Sequence, residues 1–194
     1  MAFPVFLDTC VLYPGTLCDL ILRIAEMGAF RPHWSQDVLD ELLRNLAKLE
    51  SVGEEGARRR VGAMTTAFPE ASITGHERLT PGMGCDPKDR HVLAAAVHSD
   101  CQLIVTFNLR DFPVASLAPH HMDVVSPDDF LLDQLDLYPR AVVKALRQQS
   151  SDSRRPQLTP VALMAAIQRS GCPKFAAEVL RKVDFSTWQS ADRD

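Results

Sequence analysis

Short runs of consecutive apolar residues along this chain alternate with stretches in which they recur every three or four positions, a rhythm that predicts strands alternating with helices. Pro4 to Leu7 reads as a buried strand closed by Asp8, followed by a turn at Tyr13-Pro14-Gly15 and a helix over Leu17 to Met27. Phe30 to Trp34 is a second strand. Ser35 then N-caps a helix over Gln36 to Leu49, whose Val38, Leu42, Leu46 and Leu49 line one face. A further helix over Glu54 to Phe68 carries Arg58-Arg59-Arg60, and Ala71 to Thr74 is a short third strand. After the break Pro81-Gly82-Met83-Gly84, Asp86-Pro87 reads as an N-cap and a first-turn proline opening a helix through Val97. Gln102 to Phe107 and Met122 to Val125 are the last strands, and helices follow around Phe130 to Leu135 and over Pro139 to Gln148.

This alternation predicts an α/β domain built on a central, mostly parallel sheet of about five strands with helices on its faces. The polar stretch from Gln148 to Pro156 reads as a linker, which divides a main domain, residues 1–147, from a C-terminal extension, residues 157–194. Within the extension, Thr159-Pro160 and Gly171-Cys172-Pro173 punctuate a helical hairpin. Such a unit is too small to carry its own core, so it must dock on the main domain, on a second copy in a homodimer, or on another partner.

Composition narrows the classes. With 46% hydrophobic residues and a net charge of −4 over 194 residues, general disorder is excluded. No apolar run approaches the roughly 18 residues of a membrane span, and Asp8 interrupts what would be the apolar part of a secretory leader. A cytoplasmic protein with no membrane attachment is expected. The five cysteines form an odd set without C-x-x-C spacing, which points to core thiols instead of disulfides or a zinc ribbon. A pI near 5.8 argues against coating nucleic acid through bulk charge but leaves room for a local basic stripe.

Ligands of open α/β sheets bind beyond the carboxyl ends of the strands, and acids collect there. Asp8 ends the first strand, Glu41 lies on the helix after the second, Asp89 in the helix after the third, and Asp111 in the loop after the fourth, with Asn108 nearer the strand end. Converging carboxylates repel one another unless a divalent cation neutralises them. An all-oxygen donor set suits Mg2+ or Mn2+, ions that activate water and bind phosphates in phosphodiester hydrolysis.

The runs Phe6-Leu7-Asp8-Thr9, Val38-Leu39-Asp40-Glu41-Leu42, Asp86-Pro87-Lys88-Asp89-Arg90-His91-Val92-Leu93 and Ile104-Val105-Thr106-Phe107-Asn108-Leu109-Arg110-Asp111 together resemble the PIN domain, in particular the VapC-type ribonuclease toxins of bacterial toxin–antitoxin pairs. The resemblance covers about residues 3 to 135. It implies a three-layer PIN-like fold, endonucleolytic cleavage of RNA, and a small antitoxin protein as partner. It also implies Asp8, Glu41 and Asp89 as acidic metal ligands, with Asp111 a fourth acid near the second metal position. Asn108 departs from the pattern, since many members carry an aspartate directly after that strand, and this leaves open whether one or two ions bind.

Plainer roles compete with these. Asp86 reads first as an N-cap. Thr9 and Thr106 place hydroxyls beside the site, able to hold a water or phosphate, although β-branched residues are common at strand ends. Arg58, Arg59 and Arg60 read as solvated surface or as an RNA-contacting rim. The alternative to an enzyme is a catalytically weak PIN-like module that binds RNA or protein, an idea that Asn108 supports and the retained acids oppose.

Overall fold

The computed structural model describes residues 2–152 and 158–185. Residues 153–156 of the expected linker, and 157 and 186–194 of the expected extension, lie outside the described residues. In chain order the elements are β1 (Phe3–Leu7), α1 (Thr9–Leu12), α2 (Gly15–Glu26), β2 (Phe30–Ser35), α3 (Gln36–Ala47), α4 (Gly53–Ala67), β3 (Ser72–Ile73), α5 (Arg90–His98), β4 (Leu103–Val105), α6 (Val114–Leu117), β5 (Asp123–Val125), α7 (Pro127–Leu137), α8 (Pro139–Asp152), α9 (Pro160–Arg169) and α10 (Pro173–Lys182). Among the described residues two compact units emerge from the packing, one of residues 2–14 and 30–126, the other of 15–29, 127–152 and 158–185. Among the described residues no helix is long and apolar enough to cross a membrane.

The first unit holds a five-stranded sheet in the order β3-β2-β1-β4-β5. Every pairing in it is parallel, with Phe6 opposite His33 on one side and Ile104 on the other. Val5, Phe6, Leu7, Ile104 and Val105 are fully buried, as strands covered on both faces require. The chain steps outward from β2 to β3 and back across the sheet from β3 to β4. Right-handed crossovers therefore put α3 and α4 on the face opposite α5. Pro32 stands in an interior strand, yet β3 pairs only with Trp34 and Ser35 beyond it. At Pro32 the strand has β1 alone beside it, so the missing N–H costs no ladder bond.

Several boundaries depart from the sequence expectation. Asp8 leads directly into the single turn of α1, where a turn at Tyr13-Pro14-Gly15 was the only feature expected, because its carboxylate accepts the Thr9 N–H at 2.6 Å and nucleates the turn. The helix expected to open at Asp86-Pro87 starts three residues later. Asp86 caps a tight turn instead, its carboxylate accepting the Lys88 N–H at 3.1 Å and its carbonyl the Asp89 N–H at 2.9 Å. Asp89 thus immediately precedes α5 and does not lie in its first turn.

The second unit is helical. Here α2 packs on α8 and α9, α7 on α8 and α10, and α9 on α10, so the C-terminal hairpin of α9 and α10 docks on helices of its own chain. Leu17, Leu20, Ile21, Ile24, Leu146 and Phe175 are among its buried residues. Asp128 ties α7 to α10 by accepting the backbone N–H groups of Lys174 and Phe175 at 3.1 and 2.8 Å. Residues 148–152, read as the start of a linker, continue α8, because Gln149 is buried and donates to the Thr16 carbonyl at 2.8 Å.

Candidate active site

The strand order reverses between β1 and β4, the switch point at whose carboxyl edge ligands of α/β sheets bind. Asp8 leaves β1 there and Thr106 leaves β4, and the Thr106 hydroxyl donates to Asp8 Oδ2 at 2.6 Å. Asp8 is only 4% exposed and Thr106 fully buried. The other oxygen of Asp8 accepts the Thr9 N–H, and Cys10 Sγ lies 3.2 Å from Oδ2. Burial, then the Asp8 charge, pushes the Cys10 thiol up to about 12, so it stays a neutral donor beside the acid. Thr106 in turn accepts the Asn108 N–H at 3.0 Å, which fixes the loop after β4.

Glu41 enters from α3. The stripe Val38, Leu42 and Leu46 seats that helix, and Glu41, half-buried one position before Leu42, takes a hydrogen bond from the Thr9 hydroxyl at 3.0 Å. The neighbouring acids are engaged elsewhere, Asp37 with the buried His76 at 3.1 Å and Asp40 with Gln36 at 2.8 Å.

Asp89 is 8% exposed, and its Oδ2 is buried without a hydrogen-bond partner. Burial and then the Asp8 charge raise its carboxyl to about 6. Asp111, in the 3-10 turn Leu109–Asp111, sits more openly, and its carboxylate meets the Lys88 ammonium at 2.9 Å. That hydrogen bond and charge hold the Asp111 carboxyl below its usual range. The Asp86 N–H donates to the Asp111 carbonyl at 3.1 Å, joining the two acidic loops.

The structure thus links Asp8 with Thr9, Thr106 and, through Thr9, Glu41; Asp89 feels Asp8 electrostatically and Asp111 directly. Asn108 is exposed and bonds through its backbone. Arg58 and Arg59 are exposed and pair with Glu54 and Glu55 one turn back, whereas Arg60 donates to the carbonyls of Leu12 and Tyr13 and closes the end of α1. Sequence reasoning passed over Cys10 and Lys88. The signals were present: Cys10 is two residues from Asp8 on the same short turn, and Lys88 is flanked by acids at 86 and 89.

Among the described residues, no three His, Cys, Asp or Glu groups already form an ion cage. The donor chemistry nonetheless fits a hard divalent cation. All the donors are oxygens, and a buried carboxylate oxygen without a partner, raised by a second acid, is the imbalance that such an ion corrects.

Residues 4–110 match the family model described as PIN domain, and residues 127–181 match that of the VapC50 C-terminal domain. A curated protein of Mycobacterium tuberculosis (strain ATCC 25618 / H37Rv), named "Putative ribonuclease VapC50", is 42% identical over 118 residues, which is 61% of this chain and 67% of that protein.

Proposed function

Because the chain belongs to the PIN-domain family, we propose that it is a metal-dependent endoribonuclease that hydrolyses RNA phosphodiester bonds as the toxin of a toxin–antitoxin pair. The observation that carries this reading is the pairing at the switch point: Asp8, buried and held by three donors, beside Asp89, whose buried oxygen has none. Among the described residues no basic side chain hydrogen-bonds Asp8, Glu41 or Asp89, and the Lys88 ammonium stands 3.7 Å from Asp89 Oδ2.

Asp8, Glu41, Asp89 and Asp111 would hold Mg2+ or Mn2+, whose oxygen preference matches them. A bound divalent ion polarises a phosphate oxygen and lowers the pKa of water. The chain's own contribution is orientation. Thr106 and the Thr9 N–H fix both oxygens of Asp8, so the carboxylate does not turn, and the Thr9 hydroxyl sets Glu41 from the same turn of helix. Exposed Arg58 and Arg59, paired with Glu54 and Glu55, would meet RNA phosphates by exchanging those partners. A cognate antitoxin protein would act by covering the acids, and the natural setting is the cytoplasm.

The test is incubation of the purified protein, freed of small partners, with structured RNA, single-stranded RNA and DNA in Mg2+, Mn2+ or EDTA, alongside Asp8→Asn. RNA cut only with metal, and not by the variant, supports the reading. Binding of metal and RNA without cleavage supports the module in which Asn108 has replaced an acid.

A further inference from the structure

We propose that the Lys88 ammonium holds the place of a second cation, so that the acid cluster takes one divalent ion and not two. The inference rests on the metal-dependent reading above and concerns a residue that reading does not use.

Lys88 bridges the buried Asp89 and the more open Asp111. Its Nζ lies 2.9 Å from Asp111 Oδ2 and 3.7 Å from Asp89 Oδ2, the buried oxygen that has no hydrogen-bond donor. The base of the side chain is fixed. Asp86 accepts the Lys88 N–H at 3.1 Å and donates its own N–H to the Asp111 carbonyl at 3.1 Å, so the turn that carries Lys88 is stitched to the loop that carries Asp111. Only the long aliphatic stem is free, and the side chain is 64% exposed.

The charges argue the same way. Asp8, Glu41, Asp89 and Asp111 supply four negative charges, and the position after β4 that would add a fifth is the neutral, exposed Asn108. One divalent ion at the buried end and an ammonium at the open end give three positive charges. A second divalent ion between Asp89 and Asp111 would have to sit against the ammonium or push it off both carboxylates, and breaking the two pairs is worth up to about tenfold in binding.

The experiment is a Mn2+ titration of the full chain, followed by electron paramagnetic resonance of the free ion, for the wild type, Lys88→Met and Lys88→Arg. Lys88 is mostly exposed, so both variants fold; thermal unfolding verifies this. The expected result is one Mn2+ per wild-type chain, a second ion up to about tenfold tighter in Lys88→Met than in the wild type, and wild-type behaviour in Lys88→Arg, which keeps the charge. Two ions in the wild type, or a Lys88→Met curve that overlays the wild type, overturns the inference and leaves the metal-dependent reading standing. A wild type that binds no Mn2+ overturns both.

Discussion

Asp8 and Asp111 are carboxylates of one cluster held in opposite ways. Asp8 leaves the central strand and is bonded by a backbone N–H and a thiol of α1 and by the hydroxyl that follows β4. Asp111 lies in a short 3-10 turn, and its carboxylate accepts from the ammonium of a mostly exposed lysine. The inner acid is placed by the fold and the outer acid by charge. Preorganised donors in a dry site are worth far more than an exposed ion pair, so the burden of function should fall on the inner half.

The largest expected effect is that of Asp8→Asn on cleavage. Losing a charged ligand where the ion contributes several kcal/mol should slow RNA cleavage by roughly a thousandfold or more, measured as single-turnover rates. Thr106→Val comes next. It leaves every acid in place but frees Asp8 Oδ2 from its hydroxyl donor, and the expected cost is about 10–100-fold in metal affinity or rate, with about 1–3 kcal/mol of stability lost in denaturant titrations. Asp111→Asn removes the outer carboxylate, and since exposed pairs are worth about 0–1 kcal/mol, its rate should stay within about fivefold of the wild type. An equal effect of Thr106→Val and Asp111→Asn would erase the distinction between the two halves.

The smallest effect is on stability in the absence of metal. Asp89 has its carboxyl raised from 3.8 to about 6, chiefly by burial and then by Asp8, so the folded chain holds that proton more tightly than the unfolded one. Its contribution to stability is therefore full below about pH 4 and lost as pH rises through about 6. In EDTA, the denaturation midpoint of the wild type should fall between those pH values more than that of Asp89→Asn. Identical slopes would show that the buried acid is not the source.

Much of this was legible in residue order. The stripe of Val38, Leu42 and Leu46 fixes which side of α3 is buried, and that alone separates Glu41 from Asp37 and Asp40. The compact run Leu103-Ile104-Val105 could only be a covered strand, and its end set Thr106 at the same edge as Asp8. Other features depend on contacts that no local pattern encodes. The apolar face of α2 announces burial, but nothing in it says that α8 and α9 are the partners. Gln149 sits in a polar run that looks like a linker, and only the distant Thr16 carbonyl makes it part of a helix core. Arg60 looks like its two exposed neighbours until the end of α1 is seen to take its guanidinium. Asp86-Pro87 carries a helix-start signal, and a side-chain bond to Lys88 turned it into a separate turn.

The most direct test of the distinction between inner and outer acids is the Mn2+ affinity of Asp8→Asn and Asp111→Asn measured side by side by calorimetry. The account expects Asp8→Asn to lose binding by about a hundredfold or more and Asp111→Asn to remain within about tenfold of the wild type. Equal losses in the two variants, or a greater loss in Asp111→Asn, would contradict it.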